Sequence, residues 1–139
     1  MSELSFFDTN VLVYTDDASD LAKHSRADTL FKEHQGGNTA VISLQVLQEY
    51  FVTVTRKLRM PPETAQRKVE IMAAGRVVEF RARDVVAAIE LHRLTSLSLW
   101  DAMIVHAARI AGCAVLYSED LQHRAVLGGV RVVNPFLES

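Results

Sequence analysis

Short runs rich in β-formers alternate along the chain with longer stretches whose apolar residues recur every three or four positions. Residues 4–7 read as a first strand and 39–43 ("TAVIS") as a second. Residues 76–80 ("RVVEF"), 114–118 ("AVLYS") and 130–136 ("VRVVNPF") supply a third, fourth and fifth, the last stopped by Pro135. Between them the spacing predicts helices over 20–34, from Ser43 to Leu58, and over 63–74, 84–94 and 100–111. Asp20 and Ser43 are suited to capping helix starts, because a short oxygen-bearing side chain accepts a free first-turn amide. Gly36–Gly37 and Gly112 end helices, and Pro61–Pro62 separates two of them. In the helix after Ser43 the apolar stripe runs through Leu44, Leu47, Phe51, Val54 and Leu58.

Strands separated by helices predict an α/β fold, with a central parallel sheet of about five strands flanked by helices. The chain shows no internal repeat and no linker, so residues 1–139 are expected to form one domain. In such sheets functional groups collect beyond the carboxyl ends of the strands, near a topological switch point. Asp8 stands at the end of the first strand, inside the otherwise apolar "LSFFDTNVLVY", and Asp120 stands just past the fourth. If those strands are neighbours, about 4.8 Å apart, their two carboxylates can share a cation.

Each acid also has a purely structural explanation. Asp8 can cap a short helical turn at "TNVLVY". Ser98 and Asp101, three apart before an apolar helix, approach a capping box. Ser118 and Asp120 can cap a helix starting near Leu121. Glu49 lies about 140° or more around its helix from the apolar stripe, which places it in water. Taken together, three of the acids fall at strand–helix junctions. A cluster of carboxylates is costly without a cation, and hard divalent ions prefer oxygen ligands. The five histidines show no HExxH spacing, so an oxygen-only set favours Mg²⁺ or Mn²⁺ over zinc.

Composition changes this picture little. The single Cys113, within "AGCAVLY", cannot pair inside the chain and reads as a small core residue of a reducing compartment. The beginning of the chain has no signal-peptide pattern and no apolar run is long enough to span a membrane, so a cytoplasmic protein is expected. Charge is uneven. Residues 1–55 carry 3 Lys+Arg against 8 Asp+Glu, a net −5, whereas residues 56–83 carry 8 against 3, a net +5. The basic stretch, with Arg56, Lys57 and Arg59, is either a phosphate-attracting surface or the solvated face of ordinary helices.

"FFDTNVLVY", "LQVLQEYF", "LSLWDAMIVHAA", "VLYSEDLQH" and "RVVNPF", in that order, resemble the PIN domain, and within it the VapC-type toxins of bacterial toxin–antitoxin pairs. The resemblance spans nearly the whole chain. It implies a PIN-like fold and a Mg²⁺- or Mn²⁺-dependent endoribonuclease that hydrolyses single-stranded RNA. It implies catalytic roles for Asp8, Glu49, Asp101 and Asp120. Of these, Asp8, Asp101 and Asp120 would hold the metal, and Glu49 would ligate through water or accept the nucleophile's proton. It turns Glu49 toward the pocket, against the periodicity. Asn10 and Ser118 would orient Asp8 and Asp120, and Glu119 is the one rival to Asp120. Arg56, Lys57 and Arg59 are candidates for RNA contact. An antitoxin and a second copy of the chain are the implied partners. The alternatives are a housekeeping PIN ribonuclease or a non-catalytic α/β binding module. A receiver-type phosphoacceptor is disfavoured, since "RVVEF" and "RVVNPF" lack its aspartate and lysine.

Overall fold

A computed structural model describes residues 3–137; residues 1, 2, 138 and 139 of the expected domain lie outside the described residues. β1 (Ser5–Phe7) leads through Asp8 into α1 (Thr9–Tyr14), followed by α2 (Leu21–Gly36) and β2 (Ala40–Ser43). Then come α3 (Leu44–Arg56), α4 (Pro62–Ala73), β3 (Arg76–Val78), α5 (Ala82–Leu94), α6 (Leu99–Ile110) and β4 (Val115–Tyr117). A short antiparallel pair, β5 (Val126–Leu127) and β6 (Val130–Val133), completes the chain.

The sheet has six strands in the order β3-β2-β1-β4-β6-β5, all parallel except β5. The sixth strand is the two-residue β5, too short for any periodicity to reveal. β1 lies between β2 and β4, so the chain reverses its direction of travel across the sheet between β1 and β4. That is a topological switch point, and Phe7 pairs there with Tyr117. All three residues of β1 are buried, as expected for a central parallel strand covered on both faces. Phe6 and Phe7 are fully inaccessible, and each contributes about 1.5–3 kcal/mol through apolar burial.

The helix caps follow the sequence closely. Asp20 accepts from Lys23 N (3.1 Å), Ser43 from Val46 N (3.3 Å) and Ser98 from Asp101 N (3.1 Å). Each such cap contributes on the order of 1 kcal/mol. No helix begins near Leu121; residues 121–125 form turns that lead into β5. Ser118 and Asp120 therefore cap no such helix. The stripe of α3 also differs from expectation. Its buried residues are Val46, Leu47, Tyr50 and Val54, while Leu44 is 44% exposed. Glu49 stands three positions from Val46, about 60° around the helix, and so sits beside the buried face rather than opposite it.

His106 is buried between α5 and α6. Arg109 donates to its Nδ1 (2.7 Å), so its Nε2 carries the proton and donates to Asp84 (3.2 Å). The Asp16 carboxylate accepts from the Tyr50 hydroxyl (2.6 Å) and pairs with Lys68, fastening the turn after α1 to α3 and α4. Among the described residues, no helix is long and apolar enough to cross a membrane.

Candidate active site

A cavity of about 570 Å³ opens beyond the carboxyl ends of β1 and β4, and Asp8, Glu49, Asp101 and Asp120 all line it. Four elements deliver them: the end of β1, the middle of α3, the first turn of α6 and the segment after β4. The sequence-expected acids are thus gathered in one place.

Asp8 is the deepest, only 5% exposed. Its Oδ1 accepts the Thr9 backbone N–H (2.8 Å), so it does cap the short helix α1. Its Oδ2 accepts from the Ser118 hydroxyl (2.8 Å) and the Asn10 amide (3.3 Å). Cap and site are the same carboxylate used twice. Burial pushes its pKa up to about 6; the bonds from Ser118 and Thr9 hold it down in part, and the charges of Asp120 and Glu49 raise it further. Asp101 is raised as well, first by burial and then by Asp120 and Glu49, with Ser98 acting in the opposite sense.

Asn10 and Ser118 connect the two strand ends. Asn10 Nδ2 donates to Asp120 Oδ2 (2.9 Å) as well as to Asp8, while Asn10 Oδ1 accepts the Glu119 backbone N–H (3.1 Å). The Ser118 hydroxyl donates to Asp8 and accepts the Asp120 backbone N–H (3.1 Å). One hydroxyl can do both at once, because its single proton and its lone pairs serve different partners. Glu119 turns elsewhere: its carboxylate accepts from Tyr14 (3.2 Å) and pairs with Lys23. The side chain bonded to Asn10 beside Asp8 is that of Asp120.

Glu49 faces the cavity, against the position that periodicity alone gives it. The Thr9 hydroxyl donates to Glu49 Oε1 (2.7 Å) and Gln45 Nε2 to Glu49 Oε2 (3.3 Å). Sequence reading passed over Thr9, Gln45 and the rim residue Trp100, which is 62% exposed. Thr9 lies inside "DTN", whose flanking residues drew the attention; Gln45 and Trp100 carried no signal of their own. Of the three basic candidates only Lys57 lines the cavity, while Arg56 and Arg59 are exposed residues outside its wall.

The donor set suits a hard divalent cation: carboxylate oxygens on four elements, two of them, Asp8 and Asp101, held above their ordinary pKa by burial and by the charges of Asp120 and Glu49. Among the described residues no three His, Cys, Asp or Glu side chains already stand close enough to ligate one ion, so water would complete the shell. Mg²⁺ in particular usually retains several waters and takes only one or two carboxylates.

The PIN-domain family model matches residues 5–127, most of the chain, and the chain belongs to that family. Solved structures are similar over most of its length. VapC20 of Mycobacterium tuberculosis, described as a toxin cleaving the sarcin–ricin loop, matches at TM-score 0.68 and 24% identity, over 84% of this chain and 89% of its own. A toxin–antitoxin complex from Klebsiella pneumoniae matches at 0.68 and 20%, over 94% and 97%. VapBC2 of Rickettsia felis, bound to a promoter DNA fragment, matches at 0.66 and 18%, over 93% and 96%. At these identities the likeness is one of fold. No curated protein matches the chain in sequence.

Proposed function

We propose that the protein is a metal-dependent endoribonuclease, the toxin of a toxin–antitoxin pair, acting on single-stranded RNA in the cytoplasm. One observation carries the reading: four acids from four elements converge on one cavity at the switch point of a PIN-family sheet, with Asn10 and Ser118 joining the two strand ends. Asp8, Asp101 and Asp120 would hold a Mg²⁺ or Mn²⁺ ion, in part through bound water, and the ion would supply charge neutralisation and water activation at neutral pH. Glu49 would ligate through water or accept the proton of the attacking water, a reading supported by the Thr9 hydroxyl that holds its carboxylate at the cavity. Ser118 and Asn10 keep Asp8 and Asp120 facing the same space. Lys57 on the wall offers a phosphate contact.

The antitoxin partner has a place to dock. Leu47, Phe51, Val52 and Val69 line an apolar groove of about 400 Å³ between α3 and α4, and Gln48 and Val52 belong to this groove and to the acidic cavity alike. An amphipathic segment laid there would bring a following arginine to the carboxylates, with which it pairs bidentately. A homodimer belongs to the same proposal. Val85, Val86 and Ile89 on α5 are an exposed apolar strip made of other residues than the groove.

The test is cleavage of single-stranded RNA by the purified chain with Mg²⁺ or Mn²⁺, without metal in EDTA, and by Asp101→Asn. Metal-dependent cleavage lost in Asp101→Asn supports the reading, and undiminished cleavage in EDTA overturns it. A chain that cleaves in vitro but is harmless when expressed without a partner would be a housekeeping ribonuclease.

A further inference from the structure

A second cavity, of about 750 Å³, lies beyond the carboxyl end of β6, where Val133, Asn134 and Pro135 form part of its wall. β6 is the neighbour of β4, so this cavity opens at the same edge of the sheet as Asp8 and Asp120. Its charged lining is all cationic: Lys23 and Arg26 from α2, Arg124 from the turns before β5 and Arg131 from β6. No described acid lines it. These residues come from three separated segments, so no charge run in the sequence marks them.

The cations are available. Arg26, Arg124 and Arg131 are exposed, and among the described residues they take part in no ion pair. Arg26 spends only its Nε, on the Pro135 carbonyl (3.1 Å). Arg124 has φ of 70°, a left-handed conformation that costs a residue with a Cβ, and its backbone N–H is held by the Val132 carbonyl (2.9 Å).

A wall of paired side chains separates this cavity from the acidic one. Tyr14 and Glu119 face the acids and Phe136 and Lys23 face the basic side. The Tyr14 and Phe136 rings meet edge to face at 5.0 Å, and Lys23 joins the pair through Glu119 and lies over both rings.

We propose that the basic cavity holds the phosphodiester backbone of the RNA strand on one side of the scissile bond, an inference that rests on the ribonuclease reading above. A pocket of carboxylates repels every phosphate except the one over the metal. A strand crossing it therefore needs cations nearby to hold the adjacent phosphates. Guanidinium groups meet phosphate oxygens bidentately, and three of them stand within one cavity of the acids.

The experiment measures the salt dependence of binding of a short single-stranded oligoribonucleotide to the full chain by fluorescence anisotropy. It uses an Asp101→Asn background, with oligomer integrity checked on a gel. Each phosphate contact to a single strand adds about 0.7 to the slope of log K against log salt. Arg124→Gln with Arg131→Gln should flatten the slope by about 1.4, and adding Arg26→Gln should bring the loss to about 2. The double variant keeps the Arg26–Pro135 bond, so a fold effect confined to Arg26 is recognised from an unchanged melting temperature in the double variant only. A slope and affinity unchanged in both variants, while the parent still binds, overturns the proposal and leaves the ribonuclease reading intact; the cavity would then serve an acidic protein segment. Absence of RNA binding by the parent and of cleavage by the unsubstituted chain removes the ribonuclease reading itself.

Discussion

A single amide, that of Asn10, touches the two strand-end acids, with Nδ2 at 3.3 Å from Asp8 Oδ2 and 2.9 Å from Asp120 Oδ2. Its orientation is forced, because its Oδ1 accepts the Glu119 backbone N–H. Asn10→Ala should leave the Asp120 carboxylate without its donor and Asp8 with only Ser118 and Thr9. The expected outcome is a metal-free protein less stable by about 1 kcal/mol, since one or two partly exposed charge-assisted bonds are lost. RNA cleavage should fall by roughly tenfold or more, equivalent to about 1.4 kcal/mol of misplaced charge. Asn10→Asp should be worse on both measures. Thermal melts in EDTA and initial cleavage rates check this; wild-type rates in Asn10→Ala would show that the bridge is dispensable.

Thr9 is the positioning residue for Glu49. Thr9→Val keeps the shape and removes the hydroxyl that donates to Glu49 Oε1 at 2.7 Å. If Glu49 accepts the nucleophile's proton, kcat should drop roughly tenfold, the cost of one hydrogen bond to a charged group. KM should move little, and Thr9→Ser should restore the rate. A change in KM alone would place Thr9 in substrate binding instead.

Asp8 sets a pH dependence on the metal-free fold. Its pKa is about 6 in the folded chain against an ordinary 3.8, so between these values the folded state holds more protons than the unfolded one. Stability is therefore greatest below about 4 as far as Asp8 is concerned, and falls as pH rises through about 6. A shift of this size corresponds to on the order of 3 kcal/mol at neutral pH. Asp8→Asn should flatten this decline and match or exceed the wild type in stability at pH 7 in EDTA, with cleavage abolished. Denaturant melts from pH 4 to pH 7 decide it. A variant less stable than wild type across the whole range would mean that the cap, not the charge, dominates at this position.

Much of this arrangement was legible from residue order. β1 announces itself because both faces of a central parallel strand must be apolar, and an aspartate at its end then stands out. Asp20, Ser43 and Ser98 cap where their chemistry says they should. Glu49 was not legible by periodicity. Placing the apolar stripe on Leu44 instead of Val46 and Tyr50 rotates the inferred buried face, and only resemblance to a family corrected it. β5 was missed because its two residues are held by the β6 ladder rather than by any pattern of their own. The cationic cavity was invisible because its arginines meet only when α2, the turns before β5 and β6 are folded together.

The adjacency of β1 and β4 has a consequence for the newborn chain. Asp8 leaves the ribosome well before Tyr117, Ser118 and Asp120, its neighbours in the finished sheet, which are made some 110 positions later. Until then β1 has β2 on one side and an open edge on the other, and Asn10 has no Asp120 to bridge to. A site built this way is assembled only once β4 and the segment after it have been made. A truncated or stalled product ending before β4 would carry Asp8, Glu49 and Asp101 yet lack the fourth acid. It would also present an unpaired strand edge, the kind of surface that aggregates or is degraded.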